Sequence, residues 1–173
     1  RIRRRRRSRL RRPTFLVAVV TPLPPSAFSL KLIGSYLSDA PLRSEILLNG
    51  ARTGKTLDGA ILEAALRWKE LILVFVTDAV LYEDTLHIYL LDTNLNVLDQ
   101  ARMDGLYVTG TFSLVDIIPP DTVRFLFFDG IVWSLKLLDR KTLRFPLLSD
   151  PHGVSRPFGF YRRFSLEAAP VPE

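Results

Sequence analysis

Cysteine is absent from all 173 residues, and histidine nearly so, with His87 and His152 the only imidazoles. The first absence excludes disulfides, iron–sulfur clusters and thiolate zinc sites, and suits a reducing compartment or a protein indifferent to redox. The second leaves imidazoles too few and too far apart for a metal or catalytic signature, so His87 reads as a strand residue and His152 as a loop residue. Long hydrophobic runs are missing too. The apolar residues 15–20 are stopped by Thr21-Pro22-Leu23-Pro24-Pro25, which is shorter than a secretory core and far shorter than a membrane span, so neither a signal nor an anchor is expected. Carboxylates fall mostly at turns, where aspartate bonds to nearby backbone, and no pair stands out as acid and base. Such a set does not build a hydrolytic triad, and a non-enzyme is expected. The one cofactor these loop carboxylates leave open is calcium clamped between subunits.

What the chain has in excess is arginine at its start. Arg1, Arg3, Arg4, Arg5, Arg6, Arg7, Arg9, Arg11 and Arg12 occupy nine of the first twelve positions, while residues 13–173 keep 15 basic and 18 acidic residues, a net of −3. The overall charge of +6 therefore belongs to the arm. Nine guanidiniums repel one another and bury little, so without a partner residues 1–12 are expected to be disordered. A polyanion reverses that balance through charge neutralisation and counterion release. Arginine suits the task because its planar fork grips phosphate with two hydrogen bonds and stacks on unpaired bases. The arm has no interleaved aromatics, so it is expected to hold nucleic acid without reading sequence. A nuclear address, an anionic membrane surface and an acidic protein are the other destinations of such a run.

After the arm, short apolar runs recur between turn signals, a spacing that points to antiparallel β structure. Strands are expected at residues 15–20, 28–33, 71–77, 86–91, 96–102, 106–115, 123–128, 132–138, 143–147 and 160–167. One stretch, residues 58–68, places Ile61, Leu62, Ala65 and Leu66 on one helical face with Asp58 as N-cap, and predicts a short helix. Gly50-Ala51-Arg52-Thr53-Gly54-Lys55-Thr56 has the flavour of a phosphate loop, with Asp78 placed to pass for the metal-binding acid of a nucleotidase. Its glycines are separated by three residues where the motif needs four, and nothing after Asp78 looks helical, so a glycine-rich surface loop with two exposed cations is expected instead.

The order of features, an arginine-rich arm followed by a strand-rich domain, resembles the coat proteins of small icosahedral plant RNA viruses, above all the luteovirus, polerovirus and enamovirus group. Ile33-Gly34-Ser35-Tyr36-Leu37-Ser38-Asp39 resembles a family stretch of Phe-Gly-Pro-Ser followed by Leu-Ser-Asp. Residues 59–69 running into Leu73-Val74-Phe75-Val76-Thr77-Asp78-Ala79 resemble its short helix and next strand, residues 84–92 a strand closing on aspartate, residues 123–130 a late strand ending near glycine, and residues 159–166 the closing strand. The family's tyrosines before one strand are Ala65 and Trp68 here, and residues 41–58 are longer than its connection. The resemblance implies an all-β, antiparallel jelly-roll sandwich over residues 13–173, with a short helix in a loop and residues 1–12 as a nucleic-acid-binding arm. It also implies self-assembly into an icosahedral shell that packages genomic RNA or single-stranded DNA, a place in the virion and in host cytoplasm or nucleus, and no membrane. Trp68, Trp133, Phe158 and Tyr161 are then candidates for subunit contacts, or else core residues. A monomeric nucleic-acid-binding β-barrel, such as a ribosome-associated protein with a basic extension, fits the same plan, and a P-loop-like NTPase is a more distant alternative.

Overall fold

Two runs govern the architecture. Within Leu71–Thr77 and Leu86–Leu91, residues 71–76 and 88–91 are apolar at successive positions, and because neighbouring strand residues point to opposite faces, both faces must be buried. The computed structural model describes residues 17–34, 36, 40–78, 80, 84–105, 110–128, 130–146 and 150–170, and it meets that demand with three antiparallel sheets. In chain order the strands are β1 (Thr21–Pro22), β2 (Phe28–Ile33), β3 (Arg43–Leu48), β4 (Ala51–Asp58), β5 (Ile61–Trp68), β6 (Leu71–Thr77), β7 (Leu86–Leu91), β8 (Val97–Met103), β9 (Ser113–Ile118), β10 (Thr122–Leu126), β11 (Ile131–Leu143), β12 (Val154–Ser155) and β13 (Tyr161–Pro170). A six-stranded sheet runs β1-β5-β6-β7-β8-β12, a four-stranded sheet β13-β11-β10-β9, and a three-stranded sheet β2-β3-β4.

The six-stranded sheet lies in the middle. Leu66, Leu73, Phe75, Ile88 and Leu90 on one face meet Val123, Phe125, Trp133, Leu135 and Phe164 of the four-stranded sheet. The alternate residues Ala65, Ile72, Val74, Tyr89 and Leu91 meet Phe28, Ile46 and Leu57 of the three-stranded sheet. The result is a β-sandwich of three layers with two cores.

Residues 58–68 are not a helix, and no helix occurs among the described residues. Residues 61–68 form β5, paired with β6 from Ile61↔Thr77 to Trp68↔Leu71 across a two-residue turn. Ala, Leu and Glu favour helix locally, but pairing with β6 satisfies the backbone and buries Leu66 and Trp68 in one core and Ala65 in the other, which a single helical face could not do. The jelly-roll order is not what the described residues follow either. Seven ladders join strands consecutive in sequence, giving meanders. The reason is the turns: loops as short as Asn49-Gly50, at φ 50° and 78°, connect adjacent antiparallel strands and cannot carry a crossover.

The expected strands at 28–33, 71–77, 86–91, 96–102, 123–128, 132–138 and 160–167 appear, with shifted ends. Of residues 15–20, the first two lie outside the described residues, Val17 to Val20 form no strand, and only Thr21–Pro22 pairs, with β5. The strand expected at 106–115 is found at Ser113–Ile118, with residues 106–109 outside the described set. The strand expected at 143–147 is only the last residue of β11, and Leu147 lies outside the described set.

Both cores should contribute to one cooperative transition. Leu73→Ala and Leu91→Ala empty fully buried sites in the two cores, and each is expected to lower stability by about 2–5 kcal/mol in urea unfolding. A Leu91→Ala protein as stable as the parent would mean that the three-stranded sheet adds nothing to the fold.

Candidate nucleic-acid interface

The nine arginines of residues 1–12 lie outside the described residues. What is visible is where the chain enters the body. The Val20 N–H donates to Pro120 O at 3.0 Å, and Thr21 and Pro22 pair with Arg67 and Leu66 at the edge of the central sheet. Close by, Leu137 N–H donates to Asp121 O at 2.9 Å, and Lys69 forms an ion pair with Asp139. Asp139 lies in a bulge of β11, where the pairing jumps from Leu137↔Phe164 to Thr142↔Arg162, so that residues 138–141 oppose Arg163 alone. The root of the arm and this bulge, which carries Arg140 and Lys141, therefore share one end of the sandwich.

Beyond the bulge, β11 and β13 run out as a ribbon. Leu143 pairs with Tyr161, Arg144 N–H donates to Phe160 O at 2.7 Å, and the Phe158 and Phe160 rings meet edge to face at 5.5 Å. Of the aromatics considered for subunit contacts, Trp68 and Trp133 are core residues, whereas Phe158 and Tyr161 are exposed.

A buried ionic network holds this ribbon. Asp99 on β8 faces the four-stranded sheet, and its Oδ2 accepts the backbone N–H groups of Arg163 (2.6 Å) and Phe164 (3.3 Å). Its Oδ1 accepts from Arg156 Nη1 at 3.3 Å. Arg156 also donates to Asp150 Oδ1 at 2.9 Å and Phe164 O at 3.3 Å, and its guanidinium lies 4.3 Å over the Phe164 ring. Burial pulls Arg156 below its ordinary pKa while Asp99 and Asp150 act the other way. Guanidinium stays charged at any ordinary pH, so the two carboxylates are what make its burial tolerable. Arg162 Nη1 lies 4.0 Å from Asp99, and its Nη2 donates to Pro157 O at 3.0 Å, bracing the segment that carries Phe158. Sequence reading missed this network because Asp99 looks like any polar residue of an alternating strand.

The phosphate-loop lookalike resolves into a hairpin. Gly50 is in the turn, and residues 51–56 belong to β4, with a strand after them rather than the helix a phosphate cradle requires. Arg52 Nε donates to Glu45 at 2.8 Å and Lys55 Nζ to Asn96 at 2.9 Å. The Arg52 hydrogen bond, then that of the Gly54 N–H, holds the Glu45 carboxyl below its usual range. His87 Nε2 lies 3.0 Å from Asp78 Oδ1 and donates to it when the proton is on Nε2.

His87 opens onto a groove of about 260 Å³ shared with Tyr89, Arg102 and Ser155. Burial raises the Tyr89 phenol above its ordinary pKa, and its hydroxyl donates to Asp58 O at 3.2 Å. Arg102 pairs with His87 on one side and Ser155 on the other, so Ser155 stands two strand spacings, about 10 Å, from His87. That spacing makes no serine–histidine pair. His152 lies in a turn. Among the described residues no three His, Cys, Asp or Glu side chains gather to hold a metal ion, and no helix is long and apolar enough to cross a membrane. Compared with known proteins, the chain matches no family model, no curated protein and no solved structure.

Asp99→Asn leaves Arg156 and Arg162 short of their shared counter-charge, and chemical denaturation is expected to show a loss of about 3–5 kcal/mol. Arg156→Met should cost much less in the Asp99→Asn background than in the parent; additive costs would mean the pair is not coupled.

Proposed function

We propose that the protein binds single-stranded nucleic acid through its arginine arm, with the β-sandwich as the rigid body to which the arm is tied. The observation that carries this reading is the charge split: nine arginines in twelve residues ahead of a body of net −3. An arm of that density gains affinity from released counterions, while a net-negative body avoids holding phosphate indiscriminately over its whole surface. The reading is of a binding protein and assigns no catalytic step.

A second reading, assembly of many copies into a coat-protein-like shell around the nucleic acid, is favoured by one feature of the body. Strand β9 is a sheet edge, and its Leu114, Val115 and Ile118 are exposed. An apolar edge strand offers unpaired backbone and side chains to another copy. Such a shell would be built from a meandering sandwich, without the jelly-roll path of the viral proteins that the sequence resembles.

With all nine arginines on phosphates, the arm should contribute a slope of roughly −6 to the fall of the logarithm of affinity for single-stranded RNA against the logarithm of salt, and deleting residues 1–12 should remove that contribution. Equal slopes for the two proteins in a filter-binding titration would remove the arm from the function. For the shell, electron microscopy and sedimentation of the full chain are expected to show closed particles containing RNA, with Val115→Lys shifting them to small species. A monomer at every salt concentration sinks the second reading and leaves the first intact.

A further inference from the structure

We infer that the tip of the β11/β13 ribbon is a stacking site for the unpaired bases of single-stranded nucleic acid, continuing a path that the arm begins. The inference rests on the reading of the arm as a nucleic-acid binder and adds what the arm lacks, aromatic faces. Phe158, Phe145 and Tyr161 are 81%, 63% and 62% exposed at this tip, with Phe160 beside them. Rings left this open in one place mark a surface that something covers.

Charge says what covers it. Residues 140–163 carry six basic residues and one acidic residue, whereas the rest of residues 13–173 carries nine basic and 17 acidic. Of the six, Arg156 and Arg162 are spent on Asp99 and Asp150 inside the body, and Arg163 is half-buried with its Nε enclosed. Arg140, Lys141 and Arg144 form no side-chain hydrogen bond or ion pair among the described residues, and Arg140 is only one of the charges that lower the Asp139 carboxyl. Lys141 and Arg144 flank Leu143, Phe145 follows Arg144 directly, and Arg140 stands three residues, about 10 Å, before Leu143. Cations for phosphates next to flat rings for bases are the two parts of a single-strand site; a duplex offers the phosphates but keeps its bases stacked within itself.

The site is also held still. Arg162 fixes Pro157 O and lies against Gly159, where an added Cβ would stand 3.5 Å from its Nη1. The loop displaying Phe158 and Phe160 is thereby braced from within, which lowers the ordering cost of binding. The chain enters the body at Val20 beside the β11 bulge, so Arg140 and Lys141 lie between that entry and the rings.

The test is a fluorescence-anisotropy titration of the full chain with labelled oligothymidylate and with an abasic phosphodiester of equal length and charge. The parent protein is expected to prefer the base-bearing strand by roughly tenfold or more. Phe158→Ala with Phe160→Ala should abolish most of that preference without changing the salt slope for the abasic strand. Phe158→Trp with Phe160→Trp should keep the preference, which guards against a folding defect in the alanine pair. Arg140→Gln with Lys141→Gln should flatten the slope by about 1.4. No preference in the parent, or a preference that survives the alanine pair, overturns the proposal. It is equally overturned if sedimentation finds the alanine pair dissociating copies of the chain while the preference stays, since the tip is then a self-association surface. Deleting residues 1–12 should weaken both strands alike and leave their ratio standing. If that deletion leaves affinity untouched, the arm reading fails while the ratio still judges the tip.

Discussion

Strands β6 and β7 bury both faces, and most of the molecule follows from that constraint. Leu73, Val74, Phe75 and Val76 are consecutive and fully buried, as are Leu90 and Leu91. Each such side chain contributes on the order of 1.5–3 kcal/mol when removed from water, but only if its own face is covered. A single opposing sheet would leave every second residue wet. The four-stranded and three-stranded sheets therefore close on the central sheet from opposite sides and leave some surface uncovered. The groove beside His87 is one such remnant, and the ribbon formed by β11 and β13 is another.

Asp99 is the polar counterpart of that apolar constraint. A carboxylate at a core position is destabilising unless its oxygens are satisfied, and here they accept two N–H groups of β13 and a guanidinium of the preceding loop. One residue thus ties β8 of the central sheet to β13 of its neighbour and holds the 156–162 segment in place. The basic residues of 140–163 serve opposite ends: Arg156 and Arg162 are consumed in the core to position backbone, whereas Arg140 and Lys141 remain exposed. Composition cannot separate the two kinds.

How much of this was legible depends on whether the determinant is local. Residues 28–33, 71–77 and 86–91 read as strands because alternation and continuous apolar runs between turn residues are local signals. Residues 58–68 misread as a helix because Ala, Leu and Glu are helix formers, and only the pairing with β6 overrides them. Asn49-Gly50 carries a strong short-range hairpin signal, yet the phosphate-loop reading starts at Gly50 and hides it, and with it β3 and β4. The exposed Phe158 and Tyr161 could not be told from the buried Trp68 and Trp133 by type, since aromatic residues serve both places.

By itself the sequence determined the β class of the body and the concentration of positive charge in residues 1–12, because strand periodicity, turn chemistry and net charge are properties of adjacent residues. Only the tertiary structure decided which sheets cover the two faces of β6 and β7, that chain neighbours pair in meanders, and that the cations of residues 140–163 split into a buried set and an exposed one. Those outcomes rest on contacts between distant positions, as when Arg156 reaches back 57 residues to Asp99. Such a contact leaves no periodicity in the chain, since its energy exists only once the two sheets have closed on each other.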